Sequence, residues 1–314
     1  MTARVLVLRP GAIGDTLVTS PALQALRRQS SSARIELAGN PAALPLLASS
    51  ELVDRCIPFD DPRVTRLFMP SAPAPDDSFL GIDVAVAWCA DPDGTLARAL
   101  RARGARRVVV SPSRPPPERR VHVARYLLET LAPLGIEHDG RLDLPPIRTS
   151  TGGEREAREE ILALGLEGRA FVAVHPGSGS LAKNWPAERF ADVVAALEEG
   201  HGLPSLILGG PADAEVLVRL RAAMRSPPLM LIDAPLPVVA AVLRRARAFL
   251  GNDSGLAHLA GLLGVPTLTL FGPTDPVHWS PLGPRVRTPR SEPLGDLATD
   301  RVLTELSSVL LDAS

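Results

Sequence analysis

Short, nearly unbroken apolar runs recur along the chain, and between them apolar residues return every three or four positions. The first pattern is that of strands buried on both faces, the second that of helices covering them. In the first half, Arg4–Leu8, Arg34–Ala38, Ile82–Ala87 and Arg107–Val110 read as strands. Helical patterns run through Leu17–Arg28, Gly94–Arg103 and Arg119–Ala132. The proline-rich stretch Asp60–Asp77 reads as a loop, Leu144–Gly153 as a linker and Glu154–Leu164 as a connecting helix. The alternation then restarts. Phe171–Val174, Ser205–Leu208, Leu229–Ile232, Ala248–Leu250 and Thr267–Phe271 read as strands. Ala187–Glu198, Ala212–Ala223, Leu236–Arg245 and Gly255–Leu263 read as helices, with Thr299–Leu311 as a closing one.

This order predicts an α/β protein of two doubly wound, Rossmann-like domains, 1–150 and 151–314, facing across a cleft. The last helix could pack back on the N-terminal domain. Parallel sheets of this kind bind ligands outside the carboxyl ends of their strands, so the loops there are the places to look for chemistry.

Three such loops carry suitable groups. Arg9-Pro10-Gly11-Ala12-Ile13-Gly14-Asp15-Thr16 leaves the first strand and opens a helix. Its glycines permit a sharp turn and its amides favour an anion, but it lacks a full dinucleotide fingerprint and no lysine follows as in a Walker loop. Asp15 reads either as a helix cap or as a carboxylate placed to act as a general base. Glu36, at the end of the second strand, mimics a ribose-binding acid. His175-Pro176-Gly177-Ser178-Gly179-Ser180-Leu181-Ala182-Lys183-Asn184-Trp185-Pro186 offers amide and hydroxyl donors and one positive charge, a combination that suits a phosphate. Pro186 sits where a helix begins, and His175 reads as a satisfied turn residue. Gly251-Asn252-Asp253-Ser254-Gly255-Leu256-Ala257-His258 again joins a strand to a helix, with Ser254 and the Gly255 amide at an anion-favouring terminus. Asp253 reads as a cap, a sugar-hydroxyl partner or a carboxylate that orients a cation, and His258 as a core or site residue. Two weaker loops follow. Gly209-Gly210-Pro211-Ala212-Asp213-Ala214-Glu215 offers carboxylates to a ribose diol, and Phe271-Gly272-Pro273-Thr274-Asp275-Pro276 with Trp279 closes the last strand.

Composition narrows the classes. In 314 residues the formal net charge is −1, 45% of positions are hydrophobic, and no apolar run reaches the ~18 residues of a spanning helix. A general nucleic-acid binder is disfavoured, and the N-terminal apolar stretch is too short for a signal peptide. Two distant cysteines, Cys56 and Cys89, argue against a disulfide framework or zinc site and for buried thiols in a reducing cytoplasm. Of 34 basic residues only Lys183 is lysine. Such a bias towards arginine reads as codon bias, yet a compact ammonium and a planar guanidinium are not equivalent at a phosphate. Between Arg98 and Arg125 nine arginines (98, 101, 103, 106, 107, 114, 119, 120, 125) stand against one acid, Glu118. That cluster is either a solvated face or a contact for an anionic acceptor or membrane surface. Few aromatic residues are interleaved with it, which disfavours a nucleic-acid platform.

Taken together and in order, Arg9–Asp15, His175–Ser178 with Lys183–Pro186, and Asn252–His258 with Phe271–Pro276 resemble glycosyltransferase family 9, the ADP-heptose:lipopolysaccharide heptosyltransferases and their relatives. The resemblance implies a GT-B architecture, with acceptor bound by the N-terminal domain and nucleotide sugar by the C-terminal one. It makes Asp15 the general base, Lys183 a phosphate contact, and Ser254 and Gly255 the phosphate-binding helix start, with Ser178 beside them. Asp253 and His258 match residues near the donor, and Asp213 or Glu215 would address the ribose. Gly11, Gly14, Arg119 and Arg120 are the acceptor-side candidates. The segment Ser178–Ala182 departs from several members, which carry threonines at a different spacing. The implied reaction is an inverting, metal-independent transfer of a heptose or related sugar from an ADP-sugar to an anionic lipopolysaccharide-core glycolipid. It needs no cofactor and takes place in the cytoplasm or peripherally on the inner membrane face. A nucleotide-sugar epimerase of the same architecture, which needs no acceptor, and a non-catalytic nucleotide-sugar-binding protein are the alternatives. The incomplete glycine fingerprint disfavours a nicotinamide-dependent oxidoreductase.

Overall fold

Parallel pairing of the buried runs builds two sheets. The computed structural model describes residues 3–69, 79–139 and 141–311, and the chain divides into two compact units, Met1–Arg148 and Thr149–Ser314. In the first unit β1 (Arg4–Leu8), α1 (Ile13–Leu17), α2 (Ser20–Gln29), β2 (Arg34–Gly39), α3 (Leu44–Ser49), β3 (Arg55–Pro58), α4 (Pro62–Thr65), β4 (Val84–Trp88), α5 (Thr95–Ala102), β5 (Arg107–Ser111) and α6 (Val123–Glu129) follow in order. The second unit comprises α7 (Thr151–Ala163), β6 (Val172–His175), α8 (Ala187–His201), β7 (Ser205–Gly209), α9 (Ala214–Ala223), β8 (Leu229–Ile232), α10 (Leu236–Leu243), β9 (Ala248–Asn252), α11 (Gly255–Leu262), β10 (Thr267–Leu270), α12 (Pro276–Trp279), β11 (Val286–Arg287) and α13 (Thr299–Leu311).

The sheet orders are β3-β2-β1-β4-β5 and β11-β10-β9-β6-β7-β8, with every described pairing parallel. Each order reverses direction once, between β1 and β4 in the first unit and between β6 and β9 in the second. At such a reversal the two neighbouring loops leave toward opposite faces and open a crevice at the strand ends. Alternate strand residues pack the two faces. In the second unit Val172, Val174, Ile207, Leu250, Leu268 and Leu270 share a core with Phe190, Val194 and Leu220 of α8 and α9. In the first, Leu6, Leu8, Ala85 and Ala87 meet Leu96 and Leu100 of α5.

Several expected elements change. The single helix Leu17–Arg28 is two, because Pro21 has no amide hydrogen to give the preceding turn, and the chain re-enters helix only at Ser20. The edge strands β3 and β11, four and two residues long, carry arginines and prolines in place of an apolar run and were not legible as strands. Helix α3 was likewise not anticipated. The expected loop Asp60–Asp77 contains α4, capped by the Asp61 carboxylate accepting from the Arg63 amide at 2.9 Å, while residues 70–77 of that expectation lie outside the described residues. The linker is shorter than Leu144–Gly153, since Ser150 caps α7 and accepts from Gly153. Cys89 is buried and Cys56 half-buried, its thiol 3.4 Å from the Leu44 carbonyl. Burial first, and then the charge of Asp91, push the Cys89 thiol up to about 11.

The closing helix α13 packs into the core of the second unit. Val302, Leu306, Val309 and Leu310 are buried in the same cluster as β6, β9 and α8. Its apolar stripe completes that core, so Leu306→Ala is expected to cost about 2–5 kcal/mol in denaturant unfolding of the second unit. A loss below about 1 kcal/mol would show that the helix is peripheral.

Candidate functional site

In the first unit Asp15 lies at the third position of α1, not at its cap. Ala12 is the cap residue and has no side-chain acceptor, so the Asp15 carboxylate reaches back and Oδ2 accepts the Ala12 amide at 2.9 Å. Its other oxygen, Oδ1, accepts from Arg9 at 2.9 Å. The Arg9 guanidinium is wholly buried, whereas Asp15 keeps 27% of its side chain exposed. Arg9 also donates to the Asp15 carbonyl at 2.9 Å and to the Ser113 carbonyl at 3.2 Å. Burial pushes Arg9 below its ordinary range; Asp15 opposes this shift and the neighbouring Arg114 adds to it. Asp15 therefore secures the helix start through its side chain while keeping part of that side chain exposed to solvent.

Gly11 adopts φ +126°, and a Cβ there would fall 2.6 Å from the Asp15 carboxylate. The glycine is required because the acid folds back beneath it. Gly14 is buried inside α1. Glu36 is not a free acid at a strand end. It sits in mid-strand, nearly inaccessible, with Arg4, Arg34 and Arg55 at 2.8, 3.5 and 3.3 Å, so its role is to neutralise a cluster of arginines. The arginine series 98–125 divides among α5, the turn between α5 and β5, β5, the loop after β5 and α6. Arg98 and Arg103 donate to the nearby Asp93 and Ala99 carbonyls, and Arg107 to the distant Leu134 carbonyl. Arg119 pairs with Glu129 at 2.7 Å and lies over the Tyr126 ring. Arg114, Arg119 and Arg120 are exposed on the loop that Arg9 ties down through Ser113.

In the second unit the reversal between β6 and β9 brings two distant loops together. Lys183, in the short helical turn Leu181–Lys183, donates to Asp253 Oδ2 at 3.0 Å, and Thr274 donates to the same oxygen at 2.8 Å. Asp253 is buried, while Lys183 is 28% exposed. Asp253 is thus a counter-ion for the lysine, not a helix cap. Ser254 is the cap of α11, accepting the Ala257 amide at 3.4 Å. The Ser178 hydroxyl lies 2.7 Å from both the Ser180 carbonyl and the Asn184 side-chain oxygen, which stiffens the glycine/serine loop. Pro186 is the residue before α8, one position ahead of the expected one, and leaves no idle donor there. His258 is buried on α11, its ring edge-on to Trp279 with centroids 6.4 Å apart.

His175 was legible only as a turn residue. It proves to be the centre of a buried series, with Nδ1 3.2 Å from Ser254 Oγ and Nε2 3.1 Å from Asp213 Oδ2. The same Asp213 oxygen accepts the Gly210 amide at 2.8 Å. Burial pushes the Asp213 carboxyl up, but the hydrogen bond and charge of His175 and the Gly210 amide outweigh it, and the group ends below its ordinary range. Asp213 is thereby committed, whereas Glu215 is exposed in the first turn of α9. Glu215 lines a shallow cavity of about 230 Å³ with Asn184, Trp185 and Arg219. No group of three or more His, Cys, Asp or Glu among the described residues could hold a metal ion, and none of their helices is long and apolar enough to cross a membrane.

Two parallel-sheet units with polar loops at their switch points define a GT-B type α/β protein. Residues 102–304 match the family model for glycosyltransferase family 9 (heptosyltransferase), and the chain belongs to that family. Over 167 residues it is 26% identical to lipopolysaccharide heptosyltransferase 3 of Escherichia coli, covering 51% of this chain and 47% of that protein. The chain thus spans about half the length of the curated relatives it matches. In fold it is similar to a glycosyl transferase family 9 structure from Veillonella parvula, at TM-score 0.84 and 20% identity over 99% of this chain and 98% of that one. It is similar also to E. coli ADP-heptose LPS heptosyltransferase II, at TM-score 0.79 and 21% identity over 98% and 99%.

One glycine tests the geometry of this site. A Cβ on Gly177 would fall 1.8 Å from Asp213 Oδ1, so Gly177→Ala must displace the acid. The expected cost is about 1–3 kcal/mol of stability, read by thermal or denaturant unfolding, and an unchanged midpoint would contradict the packing described.

Proposed function

We propose that this protein is an inverting glycosyltransferase that moves a heptose or related sugar from an ADP-sugar to an anionic, lipopolysaccharide-core type acceptor. The observation that carries the reading is the meeting of Lys183 with the start of α11 at the second unit's switch point, 70 residues apart in sequence. A partly exposed ammonium beside Ser254, the Gly255 amide and a helix terminus is an environment for a diphosphate, and Ser178 adds a hydroxyl from the facing loop. Membership of the heptosyltransferase family and relatives named for lipopolysaccharide heptose transfer support the donor and acceptor classes.

Asp15 takes the proton from an acceptor hydroxyl as that oxygen attacks the anomeric carbon, opposite the departing diphosphate, through an oxocarbenium-like transition state. Arg9 fixes the orientation of the carboxylate, and its exposed edge is the one an acceptor meets. Charge accumulating on the diphosphate is stabilised by Lys183 and the α11 terminus in place of a metal ion. As the diphosphate draws on Lys183, Asp253 remains within reach of donor hydroxyls, and His258 backs the same helix. With Asp213 committed to His175, Glu215 is the carboxylate left to meet ribose hydroxyls. Arg119 and Arg120, with Gly11 and Gly14 shaping the turn beneath Asp15, form the acceptor side. The exposed arginines favour an anionic glycolipid at the inner membrane face.

Asp15→Asn is expected to lower turnover by about 10²–10⁴-fold in an assay with ADP-heptose, a Kdo-containing lipid A acceptor and EDTA, while donor binding survives. Turnover of the variant at the wild-type rate would refute the base. Sugar conversion by wild type without acceptor would favour an epimerase. Lys183→Ala should weaken ADP-sugar binding by about tenfold or more, and unchanged affinity by calorimetry would remove the lysine from the diphosphate site.

A further inference from the structure

Behind the start of α11 stand three side chains, Asp213, His175 and Ser254, each buried and joined in series. Counting protons fixes what each can do. The Asp213 carboxylate only accepts, so Nε2 of His175 carries a hydrogen whether the ring is neutral or charged. In the neutral ring Nδ1 is then a bare acceptor, and the Ser254 hydroxyl must point its hydrogen inward to it. With its oxygen already taking the Ala257 amide, Ser254 offers an incoming anion only lone pairs. When the ring holds a second proton, Nδ1–H donates to Ser254 Oγ, and the hydroxyl hydrogen turns outward.

We propose that His175 is a positioning residue that takes up one proton from solvent when the diphosphate of a nucleotide sugar binds at the start of α11, turning Ser254 from a donor to His175 into a donor to the diphosphate. This rests on the donor reading given above and adds to it a mechanism of pH control. The link works in both directions: an anion at α11 favours the imidazolium, and the imidazolium favours the anion. Among the described residues, the charge facing His175 is Asp213, from the turn that precedes α9. From α11 comes Ser254, β9 places Gly251 opposite His175 in register, and β7 supplies Ser205, Leu206 and Ile207 along β6. Lys183 and Asp253, in the loops beyond, are paired with each other. The strand residues carry no charge, so Asp213, 3.1 Å from Nε2, is the charged group in direct contact with the ring.

Calorimetry with ADP-glucose tests this, because its diphosphate diester does not titrate across the neutral range. In wild type the binding heat should vary with the ionisation enthalpy of the buffer, reporting proton uptake. Affinity should weaken with rising pH, approaching about tenfold per pH unit on the alkaline side. His175→Gln has no second proton to take, and its affinity should be flat with pH; continued uptake would overturn the proposal. Ser254→Ala keeps His175 and the fold, and should lose about tenfold or more in affinity at acid pH with a shallower profile, whereas an unaltered profile would overturn it. Asp213→Asn keeps an acceptor oxygen, held by the Gly210 amide, but removes the charge, so the profile should move toward lower pH. An equal loss at every pH would mark a merely structural role and overturn the proposal. Buffer-independent heats in wild type would overturn this inference and leave the nucleotide-sugar reading standing. No binding at any pH would overturn both.

Discussion

Asn252 is the residue on which the second unit's site depends. It is wholly buried at the end of β9, and both ends of its amide are used. Its oxygen accepts the Trp185 amide at 3.1 Å and its nitrogen donates to the Pro176 carbonyl at 2.7 Å. Pro176 and Trp185 are the two ends of the glycine/serine loop, so one side chain closes that loop against the neighbouring strand. Lys183 and Ser178 project from a segment pinned at both ends. Trp185 is itself fixed by its indole donating to the Leu297 carbonyl at 3.0 Å and by edge-on packing on Phe190. Glycines and serines alone would leave such a loop with many conformations to lose on binding. The buried amide removes most of that cost before a ligand arrives.

The two units solve the same problem with opposite charges. At the first switch point a buried arginine holds a partly exposed aspartate; at the second a buried aspartate holds a partly exposed lysine. In each pair the buried member carries its charge at a desolvation cost that only a close partner offsets. The exposed member is consequently aimed rather than free. An ion pair that contributes little to stability can still fix the direction from which a reactive group is approached.

The parallel sheets, the order of the elements and the positions of Asp15, Lys183 and Ser254 were legible because buried strands and glycine loops leave local marks: continuous apolar runs, then small residues at a strand end. β3 and β11 left no such mark. Edge strands need little apolar surface, and arginine and proline serve them well. Partnership between distant residues was invisible as well. Nothing local marks Glu36 as the sink for three arginines, Asp253 as the mate of Lys183, or His175 as the link between Asp213 and Ser254. These roles arise only when the strand order brings β9 beside β6. His175 did carry a weak signal, a titratable residue ending an otherwise apolar strand at a predicted ligand-facing edge.

The lone lysine has one more consequence. A protein with a single side-chain amine among 314 residues carries a ready-made reporter at its site. Acylating reagents attack only the unprotonated, unpaired amine, so their rate at Lys183 measures how often the Asp253 contact opens. Any occupant that engages the ammonium slows that reaction without having to be turned over. The scarcity of lysine has thus left one addressable side-chain amine, at the place where occupancy matters most.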